Sequence, residues 1–150
     1  MRTTQHNSIS KYSFLLFVVM YLSAGILSAQ VQGSVYKGTF TLPFETRWGT
    51  AILPPGEYSL ALNSTTMPVR ATVRGENGAV LIQAEAMATR AGSDQSSLIL
   101  TRRSRRGIVR SLYVAELGTA FYFAVPKAER LVIAEGPELI QRIPVVRTGK

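Results

Sequence analysis

The chain has no cysteine and one histidine, His6, in 150 residues. Without a thiol there is no disulfide framework, no thiolate nucleophile, no cysteine-ligated zinc and no lipid-modified N-terminal cysteine. Aspartate is as scarce: Asp94 stands alone, whereas a calcium site needs clustered Asp and Asn oxygens. No apolar stretch reaches the roughly 20 residues of a membrane-spanning helix, and no helical periodicity lasts beyond two turns. With 46% hydrophobic and 17% charged residues, the chain is still too apolar to stay disordered. Packing and hydrogen bonding must hold it.

The N-terminus has a three-part pattern. Residues 1–11 carry Arg2 and Lys11 and no acid, an apolar run follows from Phe14 to Leu27, and small residues end at Ala29. This order is that of a secretory signal peptide, with cleavage after Ala29 as the first choice. Leu27 is large for the third position before a cut, so cleavage after Gly25 and retention as an anchor are the alternatives. The division expected is a signal peptide over 1–29 and a single β domain over 30–150, exported to the periplasm or beyond, with no transmembrane segment after cleavage. His6 leaves with the leader. The mature chain then has neither His nor Cys, which excludes Ser-His-Asp and Cys-His catalysis, histidine acid–base work and ordinary zinc, copper or haem ligation. It stays basic, since only two of 17 Lys+Arg are lost against 9 acids.

The rest of the sequence reads as short strands. From Tyr36 to Phe44 the even positions are apolar or small while Lys37, Thr39 and Thr41 point the other way, and Pro43 ends the run. Pro54-Pro55-Gly56-Glu57 has the order of a type II turn, leading into Tyr58, Leu60 and Leu62 on one face. Val69, Ala71 and Val73 alternate up to Asn77-Gly78, the strongest hairpin signal in the chain. With those two residues as the turn, Val73 faces Ile82, Ala71 faces Ala84, Thr72 faces Gln83 and Arg70 faces Glu85. A second hairpin is expected from Leu98 to Ala115, with an arginine-rich tip. An aromatic strand follows, with Phe121, Phe123 and Val125 on one side and Pro126 as its stop. Pro126–Arg130 suits one helical turn, and Leu131–Ile133 and Leu139-Ile140 are expected as final strands. The fold class is therefore all-β: an antiparallel meander forming a small barrel or a sandwich.

Four strings carry a resemblance: Phe40-Thr41-Leu42-Pro43-Phe44, Leu53-Pro54-Pro55-Gly56-Glu57-Tyr58, the strand at Val80-Leu81-Ile82, and Pro126-Lys127-Ala128-Glu129-Arg130. Together they resemble a group of small exported bacterial proteins with an apolar-Pro-Phe segment, a Leu-Pro-Ala-Gly-Glu/Asp-Tyr segment, paired strands and a Pro-Lys-x-x-Glu-Arg segment. The likeness covers roughly residues 36 to 131 and departs between Leu100 and Tyr113, where that group has fewer arginines. The Leu-Pro-Pro-Gly-x-Tyr-x-Leu string is also similar to carboxypeptidase-regulatory-like, prealbumin-type sandwich modules. Both resemblances imply β structure, and neither brings catalytic residues.

Two candidate sites stand out. Arg102, Arg103, Arg105, Arg106 and Arg110 place five guanidinium groups within nine residues, with no acid between Asp94 and Glu116. The planar fork of arginine matches phosphate and carboxylate, so an anionic envelope polymer is one partner such a tip would take. The plainer account is a solvated apex whose charge discourages edge pairing. Nucleic acid is not expected of an exported chain. Tyr36, Phe40, Phe44, Trp48, Tyr58, Phe121 and Phe123 either line a cavity for a small apolar ligand or fill the core, the commoner case because interiors are close-packed. Carboxylate catalysis requires two of Glu45, Glu57, Glu76, Glu85, Asp94, Glu116, Glu129, Glu135 and Glu138 to converge, although most sit at turns or on outward faces. The expectation is a non-enzyme without cofactor or metal. Protein isolated from its host should begin at Gln30; N-terminal sequencing checks this, and an intact Met1 on a membrane-bound product would overturn it.

Overall fold

Alternation produces the first strand directly: in β1 (Tyr36–Leu42) Tyr36, Gly38, Phe40 and Leu42 are buried while Lys37, Thr39 and Thr41 face water. The computed structural model describes residues 33–90, 92–103, 105–127 and 139–149. The expected leader over 1–29, the Pro126–Arg130 turn past Lys127 and the strand expected at Leu131–Ile133 lie outside the described residues. After β1 come β2 (Thr46–Trp48), β3 (Ala51–Leu53), β4 (Gly56–Leu62), β5 (Arg70–Gly75) and β6 (Gly78–Thr89). Then follow β7 (Ser97–Arg103), β8 (Arg106–Val114), β9 (Thr119–Phe123), β10 (Leu139–Pro144) and β11 (Val146–Arg147). A 3-10 turn at Ala115–Leu117 joins β8 to β9. The protein is all-β.

The path through the sheet is β10-β7-β8-β9-β6-β5-β4-β1-β11. The runs β4-β5-β6 and β7-β8-β9 are meanders, but β6 pairs with β9 rather than β7. A single continuous meander is thus corrected, and the cause is strand length. β6 has 12 residues, so its first half serves β5 and its second half serves β9, with an irregularity between Ala84 and Ala86 where the strand changes neighbour. A purely antiparallel sheet is corrected as well: β2 lies parallel to β8, with Thr46 opposite Gly107 and Arg47 opposite Ile108.

Two turns also differ from expectation. A type II turn holds its third residue near φ +80°. Gly56 instead has φ 153° and already pairs with Leu42 as the first residue of β4. The hairpin at Asn77 forms, but its loop is Glu76-Asn77, with Gly75 opposite Gly78. Val73 therefore faces Val80, Ala71 faces Ile82, Thr72 faces Leu81 and Arg70 faces Gln83. The shift is two residues, and a two-residue shift keeps every side chain on its face. Face pattern alone cannot tell these registers apart. Gly78, at φ +116°, leaves the turn rather than sitting inside it.

The sheet does not close as a hydrogen-bonded ladder. Its two ends are joined instead by one segment: residues 139–144 pair with β7 and residues 146–147 pair with β1. Thr148 N donates to Lys37 O at 3.0 Å, which turns the backbone of Lys37, Thr39 and Thr41 toward this segment. Continued by one more step, the register would set Thr41 against Pro144, which has no N–H to give. One residue later Val145 N donates to Ser96 O at 2.9 Å, committing the chain to β7. β1 and β10 part there.

The core is continuous under both halves of the sheet, and includes Leu42, Trp48, Leu60, Leu62, Val73, Leu98, Leu100, Leu112 and Phe121, none more than 2% exposed. Full burial of each such side chain contributes about 1.5–3 kcal/mol. Tyr58 is held over Gly75, its hydroxyl donating to Pro54 O at 2.8 Å. A Cβ on Gly75 would stand 2.5 Å from Tyr58 Cε1. Gly75→Ala should therefore lower unfolding stability by about 1–3 kcal/mol through overpacking, read from denaturant midpoints. A loss no larger than that of an exposed-site Ala control would show that the ring is not pinned.

Candidate functional site

The β7–β8 hairpin carries the arginines, and its geometry separates them. Arg103 pairs with Arg106 across a two-residue loop, so Arg105 and Arg106 stand exposed at the tip; the Arg103 side chain lies outside what is described. Arg102 follows Leu98 and Leu100 on the inward face. Its guanidinium lies 4.8 Å from the centre of the Phe44 ring, a cation–π contact at the end of the core. Arg110 is the extra residue of a bulge, since Ile99 faces Ser111 and Leu100 faces Val109. It is half-buried and away from the tip. Five residues that form one cluster in sequence thus occupy at least three settings.

The acid-free stretch does not remain acid-free in space. The parallel β2–β8 pair brings Glu45 alongside, and Arg106 Nε lies 2.9 Å from Glu45 Oε1. The two side chains are 76% and 44% exposed. At such exposure an ion pair contributes only about 0–1 kcal/mol, so Arg106 keeps most of its hydration and its capacity to meet an anion. Apolar surface lies close by. Leu139 and Ile140, 60% and 67% exposed, pair with Arg102 and Thr101 on the edge strand β10.

Of the seven aromatic candidates, six are buried and Phe44 is half-buried beneath Arg102. They pack ring on ring. Tyr58 stacks on Phe40 at 5.7 Å, Phe40 meets Trp48 edge-on at 5.9 Å, and Trp48 meets Phe123 edge-on at 5.1 Å. Phe121 is wholly buried in the same core. A cleft of about 500 Å³ opens where β1 and β10 diverge, lined by Thr39, Phe40, Thr41, Tyr58, Ile143 and Val146 among others. Its size is that of a small-molecule site. It is an outcome of the seam, and Phe40 and Tyr58 of the ring cluster form part of its wall.

Sequence reading passed over Ser96, which joins three parts of the chain. Its hydroxyl donates to Glu116 Oε2 at 2.9 Å and accepts from Ala115 N at 2.9 Å, while its carbonyl accepts from Val145 N. Nothing in a Gln-Ser-Ser string marks one serine as a hub, because its partners lie about twenty and fifty residues on. Among the described residues, no three His, Cys, Asp or Glu side chains gather as metal ligands. No family model, curated protein or solved structure matches the chain.

Three buried polar atoms have no hydrogen-bond partner among the described residues: Tyr36 Oη, Trp48 Nε1 and Thr101 Oγ1. Burial pushes the Tyr36 phenol above its ordinary value; the neighbouring Ser96 hydroxyl opposes that shift, Glu116 adds to it and Arg147 reduces it. Tyr58 is raised too, by burial first and Glu76 second. A phenol whose folded pKa is raised stabilises the fold at pH values below the unfolded pKa. That stability is lost as pH climbs from about 10 through the folded value. Tyr36→Phe should be neutral or stabilising near pH 7, since it deletes an unsatisfied hydroxyl. It should also lose less stability than the parent as pH climbs above about 10. Urea melts across that range check both; an equally steep alkaline loss in Tyr36→Phe would be the contrary result.

Proposed function

We propose that the protein is an exported, non-catalytic β-domain that binds an anionic envelope polymer through the β7–β8 tip. The observation that carries this reading is the exposure of Arg105 and Arg106 at the apex, where Glu45 is only a weak, hydrated partner. Exposed Leu139 and Ile140 on the neighbouring strand favour a polymer that is anionic and partly apolar, such as lipopolysaccharide. The absence of His and Cys from the mature sequence supports a binding role over acid–base or thiol chemistry. In the same reading, the sheet is a barrel split along the β1–β10 seam. A small ligand with an apolar body in the seam cleft is the second reading, favoured by the cleft's volume of about 500 Å³.

The two readings differ in their response to salt. Binding of lipopolysaccharide at the tip should weaken steeply as ionic strength rises, because charges separated by more than ~8 Å are screened at physiological salt. Arg105→Ser combined with Arg106→Ser should remove most of that binding and leave the fold intact, since both side chains are exposed. Titration calorimetry at low and physiological salt reads the result. Salt-insensitive binding, or unchanged binding in the double variant, would reject the tip and move attention to the seam.

A further inference from the structure

At the end of β7 far from the arginine tip, a second basic feature is built into the fold. Six residue steps separate Ser97 from Arg103, about 20 Å of strand, so the two places are distinct. Ser97 and Ile99 share one face of β7; across the ladders Ser97 faces Tyr113 and Ile99 faces Arg142. The chain after β6 folds over this face. Gly92 rests on the Tyr113 ring so closely that a Cβ would lie 2.5 Å from Tyr113 Cζ. Between the two remains a niche of about 90 Å³, lined by Arg90, Gly92, Ser93, Ser97, Ile99, Tyr113 and Arg142.

The lining is selective in charge. The lining residues include two arginines and three that bear hydroxyls, and no acid; Asp94 belongs to the same loop but is not part of the wall. Ser93 Oγ already accepts from Gln95 N at 3.2 Å, leaving its proton to point elsewhere. The loop is pinned at both ends to one turn. Arg90 N donates to Gly118 O at 2.9 Å, and Ser96 Oγ holds Ala115 N and Glu116. Glu116, an acid of that turn, is thereby engaged by a donor of its own. A loop held at both ends needs less ordering by a ligand than a free one. The niche's volume of about 90 Å³ is well below that of a drug-sized ligand site and suits a small polyatomic ion.

We infer that this niche binds a single tetrahedral oxyanion, a phosphate or the terminal phosphomonoester of a larger molecule, between Arg90 and Arg142. Arginine forks and hydroxyl donors on several sides suit the oxygens of such a group, and the Tyr113 ring closes the floor. The site is independent of the tip.

Calorimetric titration of the full chain with inorganic phosphate, and separately with glycerol phosphate, tests the inference. Saturable binding at millimolar or lower concentration is expected. Arg142→Gln and Arg90→Gln should each weaken it by roughly tenfold, since each removes a charge-assisted donor. Asp94→Asn should strengthen it by removing a nearby like charge, and Arg105→Ser with Arg106→Ser should leave it unchanged. Glycerol phosphate binding more tightly than inorganic phosphate assigns the group to a larger molecule; the reverse order assigns it to the free ion. No saturable binding of either, or binding that survives in both Arg90→Gln and Arg142→Gln, overturns the inference. A weakening by Arg105→Ser with Arg106→Ser equal to that of Arg142→Gln would overturn it too, because the charge would then be acting without a defined site.

Discussion

Pro144 has no amide hydrogen, and Thr41 is the residue that would have received it. In the β1–β11 ladder the backbone of Lys37, Thr39 and Thr41 points toward the C-terminal segment, but only the first two find their partners there. In the β7 ladder Pro144 occupies a position opposite Ser97 between residues that donate on either side, so nothing is lost. The same proline is therefore compatible with one neighbour and not with the other. The chain peels from β1 to β7 at that residue, the sheet stays open, and the cleft forms in the wedge. One missing donor determines where the molecule has an entrance.

The interior leaves little room for a ligand deeper in. Tyr58, Phe40, Trp48 and Phe123 form a chain of ring contacts between 5.1 and 5.9 Å, each stabilising by about 0.5–1.5 kcal/mol beyond burial. The polar atoms within this core are tolerated rather than used, since Tyr36 Oη, Trp48 Nε1 and Thr101 Oγ1 meet no partner among the described residues. At the surface, charge and turns are free to vary without disturbing the packing. Arg102 marks the border: its stem continues the inner face, and its guanidinium covers Phe44. It serves packing more than binding, although in the sequence it is indistinguishable from Arg105.

Strand faces were legible because side-chain alternation is local. The buried set of β1, β4 and β5 follows directly from period two, whereas in β9 Ala120 is buried between Thr119 and Phe121. Register was not legible, because a shift of two residues leaves all faces unchanged; Val73 facing Val80 and Val73 facing Ile82 are equally apolar. Nor was the β2–β8 pair. A three-residue strand has no periodicity to speak of, and parallel pairing between residues about sixty apart has no turn to announce it. The ion pair of Arg106 with Glu45 was hidden with it, as was Ser96. Alternation was read correctly from neighbouring residues, the turns at Gly56 and Asn77 were not, and the site depended on contacts of long sequence separation.

The β7–β8 hairpin gives the two basic places a fixed relation. Arg105 and Arg106 project at one end, while Arg142, opposite Ile99, and the niche beside Ser97 lie about 13–20 Å of strand from Arg103, along strands hydrogen-bonded on both sides. Because the spacer is a sheet and not a linker, no entropy is lost in setting the distance. Were both places occupied as proposed, a polymer carrying anionic groups at that spacing would engage the second at the effective concentration set by the first. A single phosphate would gain nothing from the tip. Two weak contacts on a rigid hairpin would then discriminate by the length and repeat of the partner. Neither an isolated exposed arginine pair nor an isolated oxyanion niche has that property.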